Sequence, residues 1–458
     1  MRRLIERYRL PESCVNYSGS VDSSQPQGFF AFGEGTVCFG SCFADTLAPS
    51  VNDGLYDVRT RVLFDGDTLH LPFDPDQLVD NLLLERYPII ARDLSHQLIL
   101  RSVYYSLRPL LPLKLRKHLQ RVYLAGWEKI RFPHWPVDVT VERILEQFLA
   151  MLMKAQGLRK LPFIWFWPQA YDSCAIVTHD VETADGRDFC SSLMDIDDSV
   201  GIKSSFQVVP EGRYAVSPAF LADIRRRGFE INIQDISHDG NLFRSRKQFM
   251  QQIVAVNRYG REFGAQGFRA AVLYRNQEWC HALDFEYDMS IPNSAHLEPQ
   301  RGGCCTVFPY FIGRLLELPL STTQDYALFH FLNKHSLDLW KRQIELIRQK
   351  HGLISILTHP DYMLKAREQE TYLQLLRHLD TLRTTQNVWI ATPAEVNRWW
   401  RVRSKLSLHH DGSEWQIKGA EGERACLAYA CLEGDTVRYE IPTAPANGQQ
   451  AECKALSA

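Results

Sequence analysis

Between residues 172 and 403, short apolar runs alternate with stretches in which apolar residues return every three or four positions. The runs CAIVTH, SSFQVV, FEINI, GFRAAV, EYDMS, LLELPL, LISILTH and VWIAT are bounded by polar or turn-forming residues and read as strands. Several of the segments between them carry explicit helix signals. SPAFLADIRRRG offers Ser217 as a cap, Pro218 at the first helical position and Gly228 as a stop, while TPAEVNRWW pairs Thr392 with Glu395 in a capping box. Strands and helices in alternation build a parallel sheet. Eight strands over this length fit a closed or distorted barrel better than an open sheet with a switch point.

The flanks have other patterns. Residues 1–75 hold short apolar runs such as GTVCFG and VRTRVLFDG, broken by Gly, Ser, Asp and Pro, and predict a β-rich region. From 76 to 170 the pattern is helical: in DVTVERILEQFLAMLMKAQG, Val141, Ile144, Leu145, Phe148, Leu149 and Leu152 share one face, with Asp138 or Thr140 able to cap the start. Such a helix must pack on something, and the barrel of residues 171–403 is the expected partner. The aromatic run FIWFWP just before the first strand is expected to plug the barrel bottom. Residues 404–458 return to strand alternation in SEWQIKG, RACLAYACL and TVRYEIP, which predicts a small β appendage ending in a frayed tail. The expected fold class is thus α/β, a distorted (β/α)7–8 barrel with β and helical elements before it and a β appendage after it.

Composition changes this picture little. At 458 residues the chain should form roughly three units. A net charge of −2, with 45% hydrophobic and 23% charged residues, gives no footing for disorder or for nucleic-acid binding. The N-terminal MRRLIERYRLPES lacks an apolar core with a cleavage site, and no stretch approaches the roughly 18 apolar residues that span a bilayer, so a cytoplasmic protein without membrane insertion is expected. The eleven cysteines are scattered, and VCFGSC and GGCC lack paired CxxC spacing, which predicts reduced, mostly buried thiols. Oligomeric state is not legible.

In barrels of this kind, reactive groups sit where strands run out into the following loops. Strand one ends in His179, Asp180 and Glu182, strand three in Gln234, Asp235 and His238, strand four in Arg269, strand five in Tyr287, Asp288 and Ser290, and LISIL in His359 and Asp361. Asp180, Glu182, His238 and Gln234 mix carboxylates with an imidazole and an amide, a set that can hold a zinc-type ion and its water. A carboxylate off the metal can take the water's proton, and an opposing histidine can protonate the leaving group.

The segments THDVE, EINIQDISH, GFRAAVLY, FEYDMSIPN and ILTHPDY occur in this order over about half the chain. Together they resemble the polysaccharide deacetylases of carbohydrate esterase family 4, the chitooligosaccharide-deacetylase homology domain. The resemblance implies Asp180 as base, Glu182 and His238 as metal ligands, Arg269 as the group orienting the base, Asp288 as the acid of a fourth motif and His359 as the proton donor. Val181 stands where the adjacent-acid version of the first motif has its second Asp, and two positions depart from the family pattern: Ala271 replaces a proline and Gln234 the first metal histidine. An amide oxygen binds zinc-class ions less well than imidazole does. Asp235 and Tyr274, beside these motifs, are expected to contact substrate, and His179 to pack beneath the loop as a supporting group. WPVDVTVE, FIWFWP and the GGCC-to-DYALF segment also look like a bacterial branch of deacetylase-like proteins.

The implied reaction is metal-dependent removal of an acetyl group from an N-acylated sugar or related amide, with zinc as the ion and a small molecule or glycan as the partner. A cytoplasmic substrate would be a nucleotide- or lipid-linked sugar precursor. Two other readings attach to the same residues: a carbohydrate-binding scaffold on a decayed barrel, prompted by Gln234 and Ala271, and a metal-independent amide hydrolase of the same fold. A third motif, FGSCFADTL at 39–47, superficially resembles the nucleophile strand of SGNH-type esterases. That enzyme class needs a full doubly wound sheet, for which the turn-rich residues before the helical stretch are too few.

Overall fold

The computed structural model describes residues 1–19, 25–43, 47–88, 122 and 124–442, with 453–455 as backbone. Residues 89–121 of the expected helical region, 44–46 of FGSCFADTL and nearly all of the C-terminal tail lie outside the described residues.

The apolar runs of the central region form eight strands: Ser173–Val181, Ser205–Val208, Glu230–Gln234, Gly267–Arg269, Tyr287–Asp288, Leu315–Glu317, Leu353–Thr358 and Val388–Ile390, numbered first to eighth below. All pair in parallel, in the order sixth, fifth, fourth, third, second, first, seventh. The eighth strand shares one edge of the long first strand with the second: residues 173–175 pair with the eighth and 178–181 with the second. This shared edge distorts the barrel. A short antiparallel strand, Tyr310–Ile312, folds onto the sixth.

No ladder joins the sixth strand to the seventh among the described residues, so the sheet is a curled, nearly closed wall. Side chains span the gap instead. Ser321 Oγ donates to Leu353 O at 2.7 Å and accepts from Ser355 N at 2.9 Å, and Thr322 Oγ1 donates to Ser355 O at 2.7 Å. The backbone groups that an open edge would leave dry thereby find partners.

The wall's interior is polar below the mouth. Ser205, Asn232 and Tyr287 point inward and interlock: Asn232 Nδ2 lies 2.8 Å from Ser205 Oγ and 2.9 Å from the Tyr287 hydroxyl, which donates to Glu230. Gly267 is required here, because a Cβ at that position would lie 2.2 Å from the Tyr287 ring. Alternation along the first strand sends Thr178 inward and His179 outward. His179 is fully buried between Thr358 Oγ1 (2.8 Å), Asp197 and the ring of Phe206, where it packs as the supporting group expected of it.

The helix signals sit where they were read. Ser217 Oγ accepts from Phe220 N at the start of Pro218–Arg226, Gly228 follows with φ +78°, and Thr392 and Glu395 form the capping box of Pro393–Arg403. The amphipathic helix spans Thr140–Ala155 and buries all six residues of its apolar face. It begins beside Asp138, whose carboxylate accepts from Thr140 N at 2.8 Å.

The C-terminal strands are tied to the segment preceding the barrel. Leu427–Glu433 pairs antiparallel with Lys160–Ile164 on one side and with Thr436–Pro442 on the other. Below them the FIWFWP aromatics meet the barrel's lower end: Trp167 Nε1 donates to His351 O, just ahead of the seventh strand, and its ring stacks on Phe308. The buried Arg403, at the end of the last barrel helix, donates to the carbonyls of Arg7, Ile164 and Trp165. One guanidinium thus ties the N-terminal helix Arg2–Tyr8, the aromatic run and the barrel together. Gly40 and Ser41 of FGSCFADTL end the strand Val37–Ser41, which belongs to a two-stranded hairpin, and Ser41 Oγ donates to Gln25 O.

Candidate active site

The upper ends of the first, third, fourth and seventh strands converge on Glu182. This residue follows the first strand and is partly exposed, its side chain retaining 19% of its accessible surface, while Asp180, Gln234, His238, Arg269 and His359 around it are buried. Glu182 therefore marks the side from which solvent reaches the cluster. Its Oε1 lies 2.6 Å from His238 Nε2, 3.3 Å from Gln234 Nε2 and 3.6 Å from His359 Nε2.

Register explains the convergence. Gln234 and Arg269 are direct neighbours across the third and fourth strands, so both side chains rise on the inner face. The Gln234 amide donates to Asp180 Oδ2 at 3.0 Å. From the other side Arg269 Nε stands 3.7 Å from Asp180 Oδ1, and its terminal nitrogen donates to Thr178 Oγ1 at 3.0 Å. Burial raises the Asp180 pKa against the pull of Arg269 and His359. A carboxylate raised in this way is a stronger base than a solvated one.

His359 is the most constrained member. Asp325 accepts from its backbone N at 2.8 Å and contacts ring Nδ1 at 2.6 Å, one carboxylate holding both ends of the residue. The grip places the proton on Nδ1 and presents Nε2 to the cluster. Burial alone would lower the His359 pKa, but Asp325, Glu182 and Asp180 outweigh it and hold the ring at about 10. Asp361, two residues on, accepts from Glu182 N at 3.2 Å and from the Thr183 hydroxyl. It approaches so closely that a Cβ on Gly186 would lie 2.6 Å from its carboxyl group. Burial and Glu182 lift the Asp361 pKa to about 6.

Because the folded pKa of His359 lies above its unfolded value near 6.5, the stability gained from its charged form is fully present below about pH 6.5 and is lost as pH rises toward 10. The urea midpoint of the wild type should therefore fall over that window. The His359→Gln curve should be flatter, and parallel curves would contradict the assignment.

Not every expected residue joins the cluster. Asp288 sits behind Arg269, where it accepts from Met289 N (2.8 Å) and the Ser290 hydroxyl (2.5 Å), beside its register neighbour Glu317. The acid that holds His359 is Asp325. Burial raises both Asp288, to about 6, and Glu317. Asp235 takes a left-handed backbone (φ +52°) and its carboxylate accepts from Ile236 N at 2.7 Å; its pKa rises with burial to about 6. Tyr274 is buried on the loop after the fourth strand.

The sequence reading passed over two residues. Asp325 lies in STTQD, the polar run after the sixth strand, and the strand-end rule applied there would have selected it. Arg213, in the loop after the second strand, contacts His238 and carries no sequence signal. Among the described residues, one group of acids and histidines has the spacing to hold a metal ion: Asp180, Glu182 and His359, whose ligand atoms all lie within 4.8 Å of one another. This differs from the expected set of Glu182, His238 and Gln234.

No family model and no curated protein matches the chain. Solved structures do. A protein from Mycobacterium smegmatis assigned as a polysaccharide deacetylase shares 16% identity, covering 55% of this chain and 98% of its own, with a TM-score of 0.44. One from Pseudomonas aeruginosa PAO1 with the same assignment shares 10%, covering 50% and 91%, at a TM-score of 0.39. PuuE allantoinase shares 11%, covering 51% and 92%, at 0.40. Over about half its length the chain is similar to polysaccharide deacetylases. Among the described residues no helix is long and apolar enough to cross a membrane.

Proposed function

We propose that this protein hydrolyses an acyl-amide bond, removing an acetyl group from an N-acylated sugar or a related small molecule or glycan. One observation carries this reading: a buried carboxylate braced by arginine, Asp180, and an imidazole braced by carboxylate, His359, face each other with their reactive atoms within 4.8 Å. A carboxylate and an imidazole this close can serve as base and acid for one scissile bond.

Asp180 accepts a proton from the attacking water, with the Gln234 amide holding its Oδ2 and the Arg269 charge 3.7 Å from its Oδ1. The new C–O bond forms at the acyl carbon. His359 Nε2 then delivers its proton to the departing nitrogen as the C–N bond breaks, so that an amine and a carboxylic acid leave. Glu182, at the exposed edge, lies where the substrate enters. Bound at this centre, zinc would polarise the acyl oxygen and acidify the water. Asp180, Glu182 and His359 have the spacing for such an ion, but Asp325 keeps the His359 ring charged and Gln234 turns its NH2 toward both carboxylates, so the residues fit it poorly and no step is routed through a metal.

The test is acetate release from N-acetylated amino sugars, free and nucleotide-linked, by the full chain beside Asp180→Asn. Release that drops roughly 100-fold or more in the variant is expected. Equal release by both proteins, or none from any acylated sugar, would overturn the reading.

A further inference from the structure

His238 is held between two groups of opposite kind. Its Nε2 faces the Glu182 carboxylate at 2.6 Å, while its Nδ1 lies 3.1 Å from a terminal nitrogen of Arg213. The same nitrogen donates to the His238 carbonyl at 2.6 Å, and Arg213 Nε donates to Ser237 O at 3.3 Å. The guanidinium is thus bound in a fixed pose although Arg213 stands at the rim. Its loop is fixed as well, because the Tyr214 hydroxyl donates to Val181 O and accepts from Val209 N.

A guanidinium has donors only and stays charged. Nδ1 must therefore accept from it, which leaves the proton of the neutral ring on Nε2, the nitrogen 2.6 Å from Glu182 Oε1. A histidine that ligates through Nε2 needs the reverse arrangement, with Nδ1–H given to an acceptor and the Nε2 lone pair free. A ring protonated on both nitrogens would set N–H against N–H at Arg213 and would still have no lone pair. The backbone of His238 is held in the left-handed region at φ +52°, which a non-glycine residue adopts only when its surroundings enforce it.

Gln234 completes the pattern. Its NH2 group lies 3.0 Å from Asp180 and 3.3 Å from Glu182; turned over, the amide would set a carbonyl oxygen against two carboxylates. We infer that Arg213 and Gln234 convert this centre into a metal-free one, in which the Gln234 NH2 group donates to the Asp180 and Glu182 carboxylates and the Nε2 side of His238, denied its lone pair by Arg213, lies against Glu182 where a divalent ion would otherwise be held. Arg213 is a positioning residue: it acts through the tautomer of His238.

This inference deepens the hydrolase reading of the same site, but its test needs no turnover. Zinc is titrated calorimetrically into the dialysed full chain, beside Gln234→His, the double variant Gln234→His/Arg213→Gln and that double variant carrying Glu182→Ala. The wild type should take up no zinc at this site, the double variant one ion per chain, and the triple variant none. Gln234→His alone should bind more weakly than the double variant. Wild-type uptake of one ion that is lost on Glu182→Ala would overturn the inference. So would a folded double variant that binds no zinc, since Arg213 and Gln234 would then not be the reason for exclusion. An imidazole nitrogen NMR spectrum of the wild type, with His238 assigned by difference from His238→Gln, reads the tautomer without relying on the zinc variants. A protonated Nε2 with an accepting Nδ1 is expected, and a protonated Nδ1 with a bare Nε2 would sink the proposal.

Discussion

Replacing His359 with glutamine is expected to cut turnover of an N-acyl substrate roughly 100- to 10,000-fold while leaving KM near the wild-type value. Glutamine keeps much of the side chain's bulk and polarity but has no proton to give at neutral pH, so the loss should fall on the step in which the amine departs. The effect separates from general damage through Asp325. That carboxylate grips both the ring and the backbone of His359 and is a main reason its pKa stands at about 10. In Asp325→Asn the protonated ring loses this support, and the alkaline limb of the kcat profile should move to lower pH. Unchanged turnover in His359→Gln, or an alkaline limb that stays put in Asp325→Asn, would remove His359 from the role of acid.

Arg269→Met should lower stability by roughly 3–5 kcal/mol, the usual consequence of removing one partner from a buried charge pair. Arg269 is fully buried, and its guanidinium is the nearest cation to Asp180, with Asp288 behind it. Without it, Asp180 would keep only His359 and the Gln234 amide against its charge, and its pKa would rise further. That loss weakens the fold, and protonation at neutral pH would also remove the base. The check is the urea midpoint at neutral pH for Arg269→Met, Asp180→Asn and the double variant. Because the two residues share one interaction, the double variant should lose less than the sum of the single losses. A single-variant loss within about 0.5 kcal/mol of zero, the range of an ordinary surface change, would contradict the assigned pairing.

Much of this was legible in the chain. Parallel strands place side chains by a simple alternation, so a residue at a strand's end already belongs to one face of one wall. That is why Asp180, Gln234, Arg269 and His359 could be collected from sequence, and why the caps at Ser217 and Thr392 stand where they were read. A cap depends on three or four consecutive residues, and an alternating strand depends on itself. The outward turn of His179 beside the inward Asp180 follows from the same rule.

What the sequence left open depended on contacts between distant segments. Asp325 precedes His359 by 34 residues and reaches it only because the chain beyond the sixth strand crosses to the seventh, through Ser321 and Thr322. Asp288, an acid at a strand end, stands instead beside Glu317, because register pairs those two positions. The C-terminal strands pair with Lys160–Ile164, more than 250 residues away, and no local pattern encodes a strand's partner at that separation. The sequence by itself determined the alternation of strands and helices and the side chains available at the strand ends, because those depend on periodicity and on neighbours along the chain. Only the tertiary structure decided which acid holds His359 and which nitrogen of His238 faces Glu182, because a proton's place on a ring is set by whatever sits on its far side, and here that is Arg213.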